Sequence, residues 1–324
     1  MQLFAWEGVA RNFGDSLNRL LWPRLLPDFF DDDPAELFLG IGSVLDARHD
    51  ASTVKLVAGA GYGGYAPLPT LDTRWIIHWV RGPRTARLLG LPDDCALGDP
   101  AMLVDRRRDA DPSRIGFMPH FESAANGAWA EVAQAVGVTL IDPRDEPAGI
   151  LAAIGGCRTL LSEAMHGAIV ADAMRTPWVA LRPLAAVHRP KWHDWADALG
   201  LQLRFHCLPA STLPEWLWAT QLAACHRGRG LLRCAGPWLT GAARRRFVDR
   251  ASRALAAAAA APAQLSADAA LDRCRARMME RMNAIRHSPR IPSPCISIGL
   301  AHTTTAASAR RPPPSSPPRS IHRS

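Results

Sequence analysis

Short apolar segments alternate with longer amphipathic segments along the first two hundred residues of the chain. The short segments are rich in β-branched and aromatic residues and are bounded by Gly, Pro or Asp, a pattern typical of strands. Strands are predicted over residues 2–6, 36–41, 55–58, 75–80, 114–118, 138–141, 158–161, 178–181 and 201–205. The segments between them have helical spacing and predict helices over residues 16–25, 83–89, 129–136, 147–154, 166–174 and 191–199.

This alternation of strand and helix predicts an α/β protein with parallel sheets and helices on both faces. The segment 105–113 is polar and charged and contains Pro112, which is the composition of a linker. We therefore predict an N-terminal α/β domain over residues 1–105 and a second one over residues 106–212, facing each other across a cleft.

The remainder of the chain has a different character. Residues 213–286 are predicted to form a helical extension, with helices over 213–226, 244–261 and 269–285. Residues 287–324 are rich in Pro, Ser, Thr and Arg and predict a disordered basic tail.

The net charge of +8 is concentrated at the end of the chain. Seven arginines and no acidic residue follow Glu280, whereas residues 1–280 carry 31 basic and 30 acidic side chains. The predicted folded part is thus nearly neutral, which argues against a nucleic-acid partner. The scattered arginines of the tail favour a solvated segment over a patch that contacts an anionic membrane.

Cysteine spacing and hydropathy predict a cytoplasmic protein, with a membrane-peripheral location as the second option. The seven cysteines include no C-x-x-C pair, so neither a disulfide framework nor a zinc site is expected. The N-terminus lacks the basic and apolar regions of a secretory signal, and no apolar stretch reaches the length of a membrane span.

Basic side chains follow several of the predicted strands, at the sheet edge where α/β proteins bind ligands. Arg81 and Arg84 follow one of these strands, Arg144 follows a second, and His120 follows a third. Arginine forks pair with carboxylate or phosphate, so these positions predict an anionic substrate. The alternative is that the same residues form ordinary surface ion pairs.

The segment 162–167 joins a predicted buried strand to the start of a helix, where free backbone N–H groups favour an anion. We predict that Ser162 binds the anion and that His166, in the first helical turn, donates a proton. Glu163 lies beside His166 in the sequence and is predicted to orient the imidazole. The alternative is structural, with Ser162 capping the helix and His166 packed against the sheet.

Three further segments carry candidate chemistry. Asn12 and Asp15 follow the first strand, and Gly61 lies in a glycine-rich turn through which a phosphate or sugar can approach the backbone. Lys191 is one of only two lysines beside 36 arginines, which suggests a specific need for an ammonium group. A plain helix start and a structural turn remain the alternatives for the first two.

An ordered set of motifs resembles the polysaccharide pyruvyl transferase family, in particular its succinoglycan ketalase-like branch. The matching segments are 12–18, 40–43, 59–63, 80–86, 97–101, 116–120, 141–144, 162–168 and 191–195. The resemblance implies two Rossmann-like domains in a glycosyltransferase-B-like arrangement, with the acceptor on the N-terminal side and the donor on the C-terminal side. It also implies phosphoenolpyruvate as the donor and a sugar diol of an exopolysaccharide or its lipid-linked precursor as the acceptor.

The resemblance gives a mechanistic hypothesis without a cofactor or a metal. His166 would donate the proton, Asp15 would act as the base, and Arg81 and Arg84 would hold the anion. His120 and Lys191 would support the phosphate or the carboxylate. Ala164 is a departure, because many family members carry an arginine two residues before the motif histidine, and Arg81, Arg84 and Arg144 are the candidate replacements.

Two other functions fit the same fold. A glycosyltransferase that uses a nucleotide sugar shares the expected architecture. A catalytically silent sugar-binding protein is the second alternative, which the missing arginine at Ala164 supports.

Overall fold

The computed structural model describes residues 1–6, 8, 11–109, 111–220 and 241–287. Two predictions fall wholly or partly on other residues. The tail predicted over 287–324 lies outside the described residues except for His287, and so does the end of the helix predicted over 213–226.

The first sheet has four parallel strands in the order β1-β2-β3-β4. They span Gln2–Leu3 (β1), Glu36–Leu39 (β2), Val54–Ala58 (β3) and Trp75–Trp79 (β4). All five residues of β4 are buried, as expected for a parallel strand covered on both faces.

The second sheet has five parallel strands in the order β6-β5-β7-β8-β9. They span Arg114–Met118 (β5), Thr139–Leu140 (β6), Cys157–Ser162 (β7), Trp178–Arg182 (β8) and Phe205–Cys207 (β9). The predicted α/β class with parallel sheets is confirmed. The last strand, predicted over 201–205, begins where that prediction ended.

Most connections are helical, as predicted. The helices before residue 220 are Phe13–Leu25 (α1), Pro83–Leu88 (α2), Phe121–Asn126 (α3), Trp129–Val136 (α4), Pro147–Gly155 (α5), Met165–Ala173 (α6), Arg189–Ala198 (α7) and Leu213–Ala219 (α8). Helix α1 begins three residues before its predicted start because the side chain of Asn12 accepts from the backbone N–H of Gly14. Helix α3 was not predicted.

Helices of the two sheets pack directly against each other. Helix α1 contacts α5 and α6, and α2 contacts α7. One apolar cluster extends through this region and includes Trp22 and Trp79 from the first half, with Trp178, Trp192 and Trp195 from the second. The described residues of segment 105–113 contain no helix or strand, and a domain boundary there stays a prediction.

Two later helices, Ala242–Ala259 (α9) and Asp268–His287 (α10), return to the sheets. Helix α9 packs on α4 and β8, whereas α10 packs on β4. Leu271, Met278 and Met282 of α10 are buried, which confirms the apolar face predicted from their spacing. No helix in the described part of the chain is both long and apolar enough to cross a membrane.

Candidate active site

A cleft of about 410 Å³ lies between the two halves of the chain. The first half contributes the start of α1 and the loops after β2 and β3, and the second half contributes the segments that follow β5, β7 and β8 and the start of α7. Its polar lining includes Asn12, Asp15, Ser43, Tyr65, His120, Glu122, His166, His188 and Lys191. The cleft is thus lined by the sheet edge where sequence reasoning placed the chemistry.

His166 is held at the junction of the two halves. It is the second residue of α6, and the prediction that it lies in the first turn is confirmed. Its imidazole lies against Gly14 of α1, where an added Cβ atom would be 1.8 Å from Nδ1. Only glycine at position 14 therefore allows the start of α1 to approach this ring.

Asp99 is the carboxylate that faces His166. Its Oδ2 lies 3.5 Å from Nε2 of the imidazole, and both atoms are buried with no hydrogen-bond partner among the described residues. The other carboxylate oxygen accepts from the backbone N–H of Ala101 at 3.0 Å and caps a short 3₁₀ helix, Pro100–Leu103. This contact leaves Nδ1 as the imidazole nitrogen on the side of α1.

The predicted orientation of His166 by Glu163 is wrong. The buried Glu163 carboxylate accepts from the backbone N–H groups of His120 and Leu184 and from the hydroxyl of Ser123, at 2.9–3.0 Å. Burial raises its pKa, and the three donors oppose that rise. Glu163 therefore ties together the chain segments that follow β5, β7 and β8.

Asp15 opens onto the cleft from the first turn of α1. Its enclosure by protein raises its pKa above the ordinary value, whereas the charges of His166 and Lys191 and a hydrogen bond from Asn12 lower it. Nδ2 of Asn12 donates to Oδ2 of Asp15 at 2.5 Å. Asp15 is thus a carboxylate poised to take a proton beside an imidazole and an ammonium group.

Lys191 supplies a cation to the cleft from the first turn of α7. The ammonium group makes no hydrogen bond or ion pair with any residue in the described part of the chain. Its charge acts on Asp15, His120 and His188, so it lies within electrostatic reach of both walls. Lys191 is therefore available to an anionic ligand.

A second cluster of titratable side chains, His120, Glu122 and His188, also lines the cleft. Oε2 of Glu122 lies 2.8 Å from Nε2 of His188 and 3.3 Å from Nδ1 of His120, and the two imidazole rings stack at 4.2 Å. Nδ1 of His188 lies 2.9 Å from the hydroxyl of Tyr65.

The environment sets the charge of this group. Burial lowers the pKa of His120 to about 3 and also lowers the pKa of His188. Burial alone would raise the pKa of Glu122, but its contacts with the two imidazoles bring it to about 2. At neutral pH the group therefore consists of two neutral imidazoles and one carboxylate.

Comparison with known proteins identifies the family. No family model and no solved structure matches this chain. The succinoglycan biosynthesis protein ExoV of Rhizobium meliloti (strain 1021) is 40% identical to it over 222 residues, which cover 66% of this chain and 70% of ExoV. The chain belongs to the polysaccharide pyruvyl transferase family. The family prediction drawn from the ordered motifs is confirmed.

The structure corrects the prediction for the arginines of this family member. Arg81 is fully buried, and its guanidinium donates to Asp194 at 3.0 Å, to Ser43 at 2.7 Å and to the carbonyl of Tyr62 at 2.9 Å. Gly61 leaves room for it, since a Cβ atom there would lie 2.3 Å from the guanidinium carbon. Arg81 is therefore wrong as a substrate-binding residue, and Gly61 is a packing position.

The other two arginines are also paired and do not line the cleft. Nε of Arg84 donates to Asp197 at 2.7 Å, and Arg144 makes a two-pronged contact with Asp142. Ser162 is buried, and its hydroxyl donates to the carbonyl of Ala164 rather than to the cleft. Of the predicted cations, the cleft contains Lys191.

Sequence reasoning gave no role to several side chains in or beside the cleft, among them Asp99, Glu122 and His188. Asp99 lies in one of the matching motifs and precedes a proline, a pattern typical of a cap at the start of a helix. Glu122 lies on the unpredicted helix α3, and His188 had no assigned role. The structure brings both together with His120, which was predicted.

Proposed function

We propose that this protein transfers a pyruvyl group from phosphoenolpyruvate to a sugar diol of an exopolysaccharide or its lipid-linked precursor, which forms a pyruvate ketal. The two sheets would belong to two Rossmann-like domains in a glycosyltransferase-B-like arrangement. Lipid-linked acceptors would bring the protein to the cytoplasmic face of a membrane.

One observation carries the proposal, namely the meeting of Asp15, His166 and Lys191 in a single cleft. The reaction needs a proton donor, a proton acceptor and a cation for an anionic donor, and these residues supply one of each. The first half of the chain provides Asp15 and the second half provides the other two. A pyruvyl transfer site with acceptor and donor on opposite walls would need this division.

The chemistry balances without an external reagent. His166 would give a proton to the methylene carbon of phosphoenolpyruvate while a sugar hydroxyl attacks C2 and passes its proton to Asp15. Attack by the second hydroxyl would then expel inorganic phosphate, whose charge Lys191 stabilises. The proton of the second hydroxyl leaves with the phosphate, and Asp15 returns its proton to restore His166 through the cleft.

Asp99 supports this role of His166. Its carboxylate lies 3.5 Å from Nε2 and limits the orientations open to the ring. Nδ1, on the side of α1, would then be the nitrogen left to give up the proton. Asp99 is a positioning residue in this scheme because it acts through the imidazole.

The aromatic lining of the cleft suits a sugar acceptor. Trp6 and Phe121 lie with ring centroids 6.3 Å apart, and Tyr65 and Trp218 add two further rings. Aromatic faces stack on the apolar faces of sugar rings. Phosphoenolpyruvate itself has no such surface, so these rings would belong to the acceptor.

The test is the release of phosphate from phosphoenolpyruvate in the presence of candidate oligosaccharide acceptors. The His166→Ala variant is expected to lose turnover by about 10²- to 10⁴-fold, the usual contribution of a general acid. His193→Ala is the matched control, because His193 lies on α7 against Phe205 and does not line the cleft.

Unchanged turnover in a folded His166→Ala variant would contradict the assignment. Thermal shifts with phosphoenolpyruvate and with a panel of nucleotide sugars test the donor. Stabilisation by a nucleotide sugar alone would favour a glycosyltransferase. If neither donor supports turnover but the oligosaccharide binds, a silent sugar-binding protein would be favoured.

A further inference from the structure

We infer that His120, Glu122 and His188 form a binding site for one divalent transition-metal ion in the wall of the cleft. This site goes beyond the proposed reaction, which does not require a metal. It is the one group of three metal-ligating side chains in the described ranges whose ligand atoms all lie within 4.8 Å of one another.

The spacing of the ligand atoms supports a shared ion. Imidazole nitrogens and carboxylate oxygens bind zinc at about 2.0–2.2 Å, so two ligands of one ion lie within about 4.3 Å of each other. Oε2 of Glu122 is 2.8 Å from Nε2 of His188 and 3.3 Å from Nδ1 of His120. Both separations fall in that range.

An unpartnered nitrogen points to a missing ligand. His120 is 5% exposed, and its Nδ1 is buried without a hydrogen bond to any described residue. A buried polar atom left in this state is costly, and such atoms in native proteins often mark an ion or a water. The nitrogen lies beside Glu122, where a metal would provide the missing contact.

The second nitrogen of His188 has the partner that a metal-binding histidine needs. Histidine ligands usually donate their other ring N–H to a fixed acceptor, which orients the ring and sets the tautomer. The hydroxyl of Tyr65 lies 2.9 Å from Nδ1 of His188 and can accept this bond. Nε2 is then free to bind the ion in place of its contact with Glu122.

The donor set indicates the class of metal. Two imidazoles and one carboxylate suit zinc and the other late divalent transition metals, and magnesium and calcium prefer oxygen ligands. Lys191 lies on the same wall and repels a cation, whereas the carboxylate of Glu122 attracts it. With three protein ligands, the ion would keep an open position, as in catalytic zinc sites.

The test is a calorimetric titration of the full chain, without an affinity tag and after removal of metals, with zinc chloride. Wild-type protein and the His193→Ala control are expected to bind one ion per chain. Binding should weaken more than about 10-fold in Glu122→Gln and in His188→Ala, and about 10-fold in Tyr65→Phe, which removes only the outer partner.

Two results would overturn the inference: no saturable binding by the wild-type protein, or undiminished affinity in Glu122→Gln. This glutamine keeps the size of the side chain, so loss of folding is not expected to imitate loss of the ligand. The titration contains no phosphoenolpyruvate. Failure of the metal site and failure of pyruvyl transfer are therefore separate outcomes.

Discussion

The two ends of helix α7 use charge in different ways. Its first turn presents Lys191 to the cleft without a partner among the described residues, whereas Asp194 and Asp197 further along hold Arg81 and Arg84. The paired cations join α7 to the first half of the chain, and the unpaired one faces the space where a substrate would lie. Availability of the charge, rather than charge type, separates a structural cation from a binding cation.

The largest effect on the free energy of unfolding is expected at the buried ion pair of Arg81 and Asp194. Arg81→Met leaves Asp194 without its buried cation, and breaking such a pair lowers the free energy of unfolding by about 3–5 kcal/mol. Urea denaturation followed by fluorescence measures this loss. Full stability with lost turnover would instead mean that Arg81 serves the chemistry, and the contrast between the two ends of α7 would fail.

A smaller effect, on catalysis alone, is expected at the cleft. Lys191→Met removes the cation proposed to hold the donor. The transition state should lose about 1.5–3 kcal/mol of stabilisation, so kcat/KM should fall about 10- to 150-fold. The unfolding midpoint should stay unchanged, since Lys191 has no hydrogen bond or ion pair with a described residue to lose. Lys191→Arg keeps the charge and should retain much of the activity; equal losses in both variants would count against a charge-based role.

The next effect is a shift in pH dependence. Asn12 donates to Asp15, which favours the ionised carboxylate that the proposed base requires. Asn12→Ser keeps a helix cap but loses this amide donor, so the pKa of Asp15 should rise further and the acid limb of the kcat/KM profile should move to higher pH. An unmoved acid limb would exclude Asp15 as the titrating base.

The smallest effect on stability is expected at the exposed ion pair of Arg84 and Asp197. The substitution is again arginine to methionine, as at the buried pair. Arg84 and Asp197 are 45% and 39% exposed, and pairs of this kind contribute about 0–1 kcal/mol. Arg84→Met should therefore change neither the unfolding midpoint nor the turnover by much. A large rise in KM for the donor would show that Arg84 reaches the substrate after all.

The sheets were predictable because their signal is local. Each of the nine predicted strands overlaps or adjoins one that the structure contains, since a buried parallel strand is a short apolar segment bounded by turn residues. Helix α3 escaped prediction because it has six residues and begins without a side-chain cap at His120. Glu122 was missed with it.

The pairing of the arginines was not predictable from local pattern. Arg81 and Asp194 are 113 residues apart, and neither position carries a signal of the other. The same holds for Asp99, whose partner His166 lies on a distant helix. Sequence reasoning found where the basic residues lie along the chain, but only packing decides which of them meet a carboxylate.

The contact of His166 with Gly14 couples the evolution of two positions that are far apart in the sequence. Because a Cβ atom at position 14 would lie 1.8 Å from the imidazole, the two side chains compete for one space. Relatives that retain the imidazole are therefore expected to retain the glycine. Only lineages that have already lost the imidazole are free to vary at position 14, so an alanine or serine there would mark a member that has abandoned this chemistry.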